Sequence, residues 1–72
     1  MMLRKVEVKT EYKGGDGRWR PDVGFAAINP DHIAWAQAQE SWQDKSVTHV
    51  HFKDGTGLDV LLSIDQVIGL QG

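Results

Sequence analysis

His49 and His51 stand two residues apart, and in an extended chain both imidazoles fall on one face. Two imidazoles at that spacing can be offered to one Zn²⁺, which needs a third ligand and commonly a fourth. His32, Asp31 or Asp59 could complete the set if the fold gathers them. The simpler reading puts both histidines on the solvent side of a strand whose other side is Val50 and Phe52, so no metal is expected and His49 and His51 remain weak candidates. The second stretch with chemistry is Arg18-Trp19-Arg20. An indole between two guanidiniums can stack on a base and neutralise phosphates. The same residue types anchor protein interfaces. Trp19 could instead fold back as a lid over the core, leaving the arginines in solvent.

Catalytic patterns are poor. With no cysteine there is no thiol nucleophile, and Ser41, Ser46 and Ser63 lack any nucleophile context. The carboxylates are scattered, so no two are paired for acid–base work. Gly14-Gly15-Asp16-Gly17 lacks the G-K-[ST] ending of a phosphate-binding loop and leads to no helix. A non-enzyme without a cofactor is expected. Trp35 and Trp42 suit a core or a dimer contact. Three tryptophans in 72 residues are hard to bury completely, so an exposed apolar patch and an interface are expected.

These residues must be held by one small domain, since 72 residues leave no room for a second. A domain of this size buries only about 60% of the surface of its unfolded chain. It leans on packing, a metal or a partner subunit, because disulfides are excluded. The absence of cysteine fits a reducing compartment. The N-terminus has no apolar run of the kind a secretory signal carries, and no stretch approaches the length of a membrane span. The expected location is cytoplasmic, with no membrane association. Net charge is −2, unevenly spread: residues 1–20 hold six cations and three anions, residues 21–72 two cations and seven anions. Such asymmetry marks either a binding face or strands of opposite charge lying side by side, and the second is preferred. The acidic remainder argues against non-specific nucleic-acid binding.

Residues 2–12 alternate, with Val6, Val8, Thr10 and Tyr12 on one face and Lys5, Glu7, Lys9 and Glu11 on the other. This predicts a half-buried strand, and the charged face suits a sheet edge. Residues 13–22 read as a loop punctuated by Gly14, Gly15, Gly17 and Pro21. Residues 23–28 read as a short strand with Val23, Phe25 and Ala27 on one side and Gly24 allowing a bulge. Asn29-Pro30-Asp31 turns the chain. Residues 32–42 fit a helix by propensity, with Asn29 as N-cap and Pro30 at N1, and fit a strand by the alternation of Ile33 and Trp35. The hairpin partner that follows favours strand.

Residues 46–52 are the clearest strand, with Thr48, Val50 and Phe52 opposed to Val47, His49 and His51. A two-residue Asp54-Gly55 turn would set Val50 opposite Asp59. A three-residue loop with Gly55 left-handed sets Val50 opposite Leu58 and Thr48 opposite Val60, burying apolar against apolar. Ser63 and Gln66 form the S-x-x-Q capping box of a terminal helix. Leu62 staples to Val67, while Ile64, Val67 and Ile68 cover the sheet and Gly69 limits the helix to about two turns. The sum is a mostly β (α+β) domain: a small, strongly bent antiparallel sheet or SH3-like barrel of four to five strands with a short C-terminal helix.

The order Ile28-Asn-Pro-Asp-His-Ile33, Val47–Phe52, Asp54-Gly55 and Ser63-Ile-Asp-Gln-Val-Ile68 resembles the small flagellar FlbD-like family and its uncharacterised short relatives, some from mobile elements. The resemblance covers residues 25–70. It implies a strand–turn–strand unit closed by a capped helix and brings no known chemistry. Residues 13–22 depart from that pattern. A fainter similarity is to LytTR-type DNA-binding domains, which are longer and more basic. The expected function is a non-enzymatic protein-interaction module that self-associates or docks on a larger assembly, with Arg18, Trp19, Arg20 and Trp35 as contact residues. The alternative is a small nucleic-acid-binding β-domain using the basic N-terminal strand and the Arg18–Arg20 loop.

Overall fold

The computed structural model describes residues 2–71. Its strands are β1 (Arg4–Lys13), β2 (Trp19–Ile28), β3 (Ile33–Trp42), β4 (Lys45–Phe52) and β5 (Gly57–Val60), with a 3-10 turn at Pro30–His32 and a helix α1 (Ile64–Leu70). The strands form a single antiparallel sheet in the order β2-β1-β5-β4-β3. β2 and β3 stand at the two ends, and no ladder joins them among the described residues. The sheet is therefore bent but open, not closed into a barrel. The bend follows from the connection between these edges. Ile28 ends β2 and Ile33 begins β3. Their five residue steps reach at most about 17 Å. Four strand spacings in a flat sheet span about 19 Å. The 3-10 turn shortens the reach further, so the sheet must curl until Ile28 and Ile33 enter the same core.

That core lies on one face, hereafter the inner face. Val6, Val8, Ile28, Ile33, Val50, Val60 and Val67 form it, with Phe52, Leu58, Leu62 and Leu70 against it. α1 supplies Val67 and Leu70. Its capping box is complete: Gln66 N–H donates to Ser63 Oγ at 3.2 Å, and Ser63 N–H donates to Gln66 Oε1 at 2.8 Å. Leu62 and Val67 share the core as the staple requires. Ile68, however, is exposed, and Gly69 lies inside the helix, whose cap is Gln71. Gln71 Nε2 donates to the Pro30 carbonyl at 3.1 Å, tying the helix end to the β2–β3 connection.

The three-residue loop between β4 and β5 is as the apolar register demands. Gly55 has φ +92°, Phe52 N–H donates to Thr56 O at 2.8 Å, and Val50 faces Leu58 while Thr48 faces Val60. Residues 33–42 are strand, and Asn29 caps the 3-10 turn with Pro30 at its start.

Other expectations need correction. β1 is not an edge: β5 returns to pair with it at Val8 and Lys9. Its charged residues mark an outer face, not a free edge. Thr10 and Tyr12 are exposed because the β5 pairing stops at Lys9, leaving the distal β1–β2 hairpin as an arm with nothing opposite it. The molecule is accordingly elongated, 42 × 25 × 19 Å. Trp19–Asp22 belong to β2, not to a loop, because Gly14–Arg18 alone suffice to reverse the chain. Pro21 fits this edge strand, since its position opposite Glu11 alternates with the hydrogen-bonded pairs that begin at Gly14 and Arg18. Gly24 pairs in register with Val8 and makes no bulge.

Candidate interaction surface

The outer face carries the chemistry. A bulge between Ile33 and Trp35 interrupts the strict alternation expected for β3. Ile33 turns inward opposite Phe52, and Trp35 turns outward opposite His51. The Trp35 and His51 rings stack at 3.7 Å with 15° between their planes. His51 meets His49 edge-on at 4.3 Å and 69°. His49 Nδ1 lies 2.5 Å from Asp59 Oδ1, directly across the β4–β5 ladder. Gly57 makes room for this ring, since a Cβ there would stand 3.1 Å from His49 Nε2.

The array continues onto β1. Asp59 faces Lys9, whose Nζ lies 5.4 Å from the Trp42 ring centroid. Lys45 Nζ bonds Glu7 Oε1 at 3.0 Å, and Lys5 Nζ lies 4.7 Å from the Phe25 ring centroid. Lys5, Glu7, Lys9, Lys45 and Asp59 thus each have a near neighbour of complementary character. The aromatic surface stays open: Trp35 is 53% exposed and Phe25 66%.

The structure separates the contact residues expected from sequence. Trp35 sits on the β3 edge, and Arg18, Trp19 and Arg20 lie at the tip of the hairpin arm beside the opposite edge. Trp19 is 65% exposed and does not close over the core. Arg20 Nη2 bonds Asp16 Oδ2 at 2.8 Å, and Arg18 N–H donates to Asp16 Oδ1. Asp16 therefore organises the tip as much as its glycines do. Among the described residues no group of three His, Asp or Glu gathers in metal-binding geometry. His49 and His51 are instead engaged with Asp59 and Trp35.

A cleft of about 330 Å³ lies on the other flank, between the end of β2 and the β4–β5 turn, with His32, Asp54 and Thr56 at its rim over Ile28, Phe52 and Leu58. Asp54 accepts the Thr56 hydroxyl at 2.6 Å and the Thr56 N–H at 2.9 Å. Those bonds, the hydroxyl first, hold its carboxyl below the ordinary carboxylate range. The carboxylate is thus spent on the turn beneath it.

Sequence reasoning missed Lys9, Trp42 and Phe25 as members of the outer array. The Asp59–His49 contact was implicit in the Val50–Leu58 register, which puts residue 49 opposite residue 59. No protein-family model, no curated protein and no solved structure matches the chain. No helix among the described residues is long and apolar enough to cross a membrane.

Proposed function

We propose that this protein is a non-enzymatic interaction module that self-associates or docks on a larger assembly in the cytoplasm. One observation carries the reading. α1 packs onto the core of the inner face, while the outer face keeps Trp35 and Phe25 in solvent and the sheet offers two edge strands. Large exposed aromatics are the residue type enriched at interfaces, and the charges beside them, Lys5, Glu7, Lys9, Lys45 and Asp59, are already engaged. The cysteine-free composition suits a reducing compartment.

Nucleic-acid binding is the second reading, supported by the cationic N-terminal strand and the Arg18-Trp19-Arg20 tip. It is weakened by the commitments of those cations: Arg20 to Asp16, Lys5 to Phe25 and Lys9 to Trp42. Light scattering over a dilution series at low and high salt separates the two. A multimer insensitive to salt supports the interaction module. A monomer that binds single-stranded oligonucleotide and releases it steeply as salt rises supports the alternative.

A further inference from the structure

The two edges of the sheet are not alike. β2 is blunted by Arg20, Pro21 and Asp22. β3 runs ten residues, IAWAQAQESW, with Glu40 its one charged residue and no proline. Between its two bulges, an edge this little charged is a template for another strand.

The direction of its backbone groups follows from the ladder. Phe52 N–H bonds Thr56 O, so Phe52, Val50 and Thr48 direct their backbone groups toward β5. His51, His49 and Val47 then bond Trp35, Gln37 and Gln39. Ala36 and Ala38, within the regular stretch of the ladder, are left with N–H and C=O groups pointing away from the sheet. Ala36 is half-buried and Ala38 exposed.

We propose that the β3 edge pairs antiparallel with β3 of a second copy, across a two-fold axis at Gln37. This rests on the interaction-module reading and names its partner. The regular stretch of β3 lies between irregularities at Ile33/Trp35 and Gln39/Trp42. A two-fold at Gln37 lays that stretch on itself. Ala36 exchanges backbone bonds with Ala38 of the second copy, Gln37 meets Gln37, and Trp35 lies across from Gln39. Glu40 lies three residues from the axis, beyond the regular stretch, so the two carboxylates stay apart. An uncharged strand of Ala-Gln-Ala-Gln is complementary to itself, where a charged edge would repel its own copy. The outer faces then join into one surface that bears both Trp35–His51 stacks.

Gln37→Cys tests the register in a chain that has no other thiol. A central pair of this non-hydrogen-bonded type sets its Cα atoms about 4.5 Å apart, within the disulfide range. Gln37→Cys should oxidise to a covalent dimer faster than Ala27→Cys on the β2 edge. Ala38→Pro removes one outward donor from each copy without touching the β4 ladder, and should weaken the dimer at least about tenfold. Circular dichroism checks that this variant folds, and Gln37→Lys, an exposed change that sets like charges face to face, serves if it does not. A wild-type dimer that ignores the folded edge variants, or whose Gln37→Cys form oxidises no faster than Ala27→Cys, overturns the β3 interface but leaves the module reading intact. A wild-type monomer at every concentration overturns self-association itself.

Discussion

Replacing Thr48 with valine exchanges one buried oxygen for a methyl group and leaves the shape of the side chain nearly unchanged. Thr48 is 1% exposed, and its hydroxyl donates to the Leu62 carbonyl at 2.8 Å. That bond joins β4 to the link between β5 and α1, where the chain turns to lay Val67 into the core. Valine has no donor, so the Leu62 carbonyl loses its partner in a part-buried position. An acceptor stranded in this way costs about 1–3 kcal/mol. Valine adds apolar burial, which offsets part of this, leaving a net loss of about 1–2 kcal/mol. For a domain of this length each kcal/mol moves the midpoint by about 4–8 °C, so Tm should fall by roughly 5–15 °C. Thermal and urea unfolding at one fixed protein concentration would measure it, with the urea slope unchanged. Thr48→Ser keeps the hydroxyl and should lose less. A valine variant as stable as the wild type would refute the reasoning, because packing would then outweigh the hydrogen bond.

Other substitutions probe the elements that shape the outer face. Gln43 and Asp44 are both left-handed, at φ 50° and 62°, in the two-residue turn between Trp42 and Lys45. Asp44→Gly should raise stability by about 1 kcal/mol, read as a higher urea midpoint. Gly57→Ala should lower Tm and displace the His49 ring in NMR spectra, because its Cβ would stand 3.1 Å from His49 Nε2 and 3.2 Å from the Val50 carbonyl; overpacking of this kind costs about 1–3 kcal/mol. Asp54 titrates lower in the folded chain, so its stabilising effect is present above the ordinary carboxylate pKa and is lost as pH falls through the folded value. Asp54→Asn should therefore flatten the acid side of a Tm-against-pH profile, and superimposable wild-type and variant profiles would contradict the role given to its bonds with Thr56.

Much of the fold was legible because its signals are local. Alternation placed β1, β4 and the inward set of Val6, Val8 and Val50. The choice between loop lengths at Lys53–Gly55 was decided by which register wastes fewer apolar residues, and the ladder follows that choice. The capping box located the start of α1 to the residue, while its end runs past Gly69 to a cap at Gln71. What could not be read depends on neighbours distant in sequence. The interior position of β1 is set by β5, some fifty residues on. The inward Ile33 and outward Trp35 depend on a bulge that no residue type announces. The β3–β4 turn uses Gln43-Asp44 where Asn-Gly would have been conspicuous. At the candidate surface the histidine pair and Trp35 stood out by type, but their contact with each other, and Lys9 beside Trp42, emerged only from the assembled sheet.

Amide hydrogen exchange at low and high protein concentration tests the central claim, that the open sheet is a surface for a partner, most directly. The N–H groups of Ala36 and Ala38 should exchange freely in dilute solution and become protected as concentration rises, while those of β2 stay unchanged. Free exchange of both amides at every concentration would contradict self-association through β3.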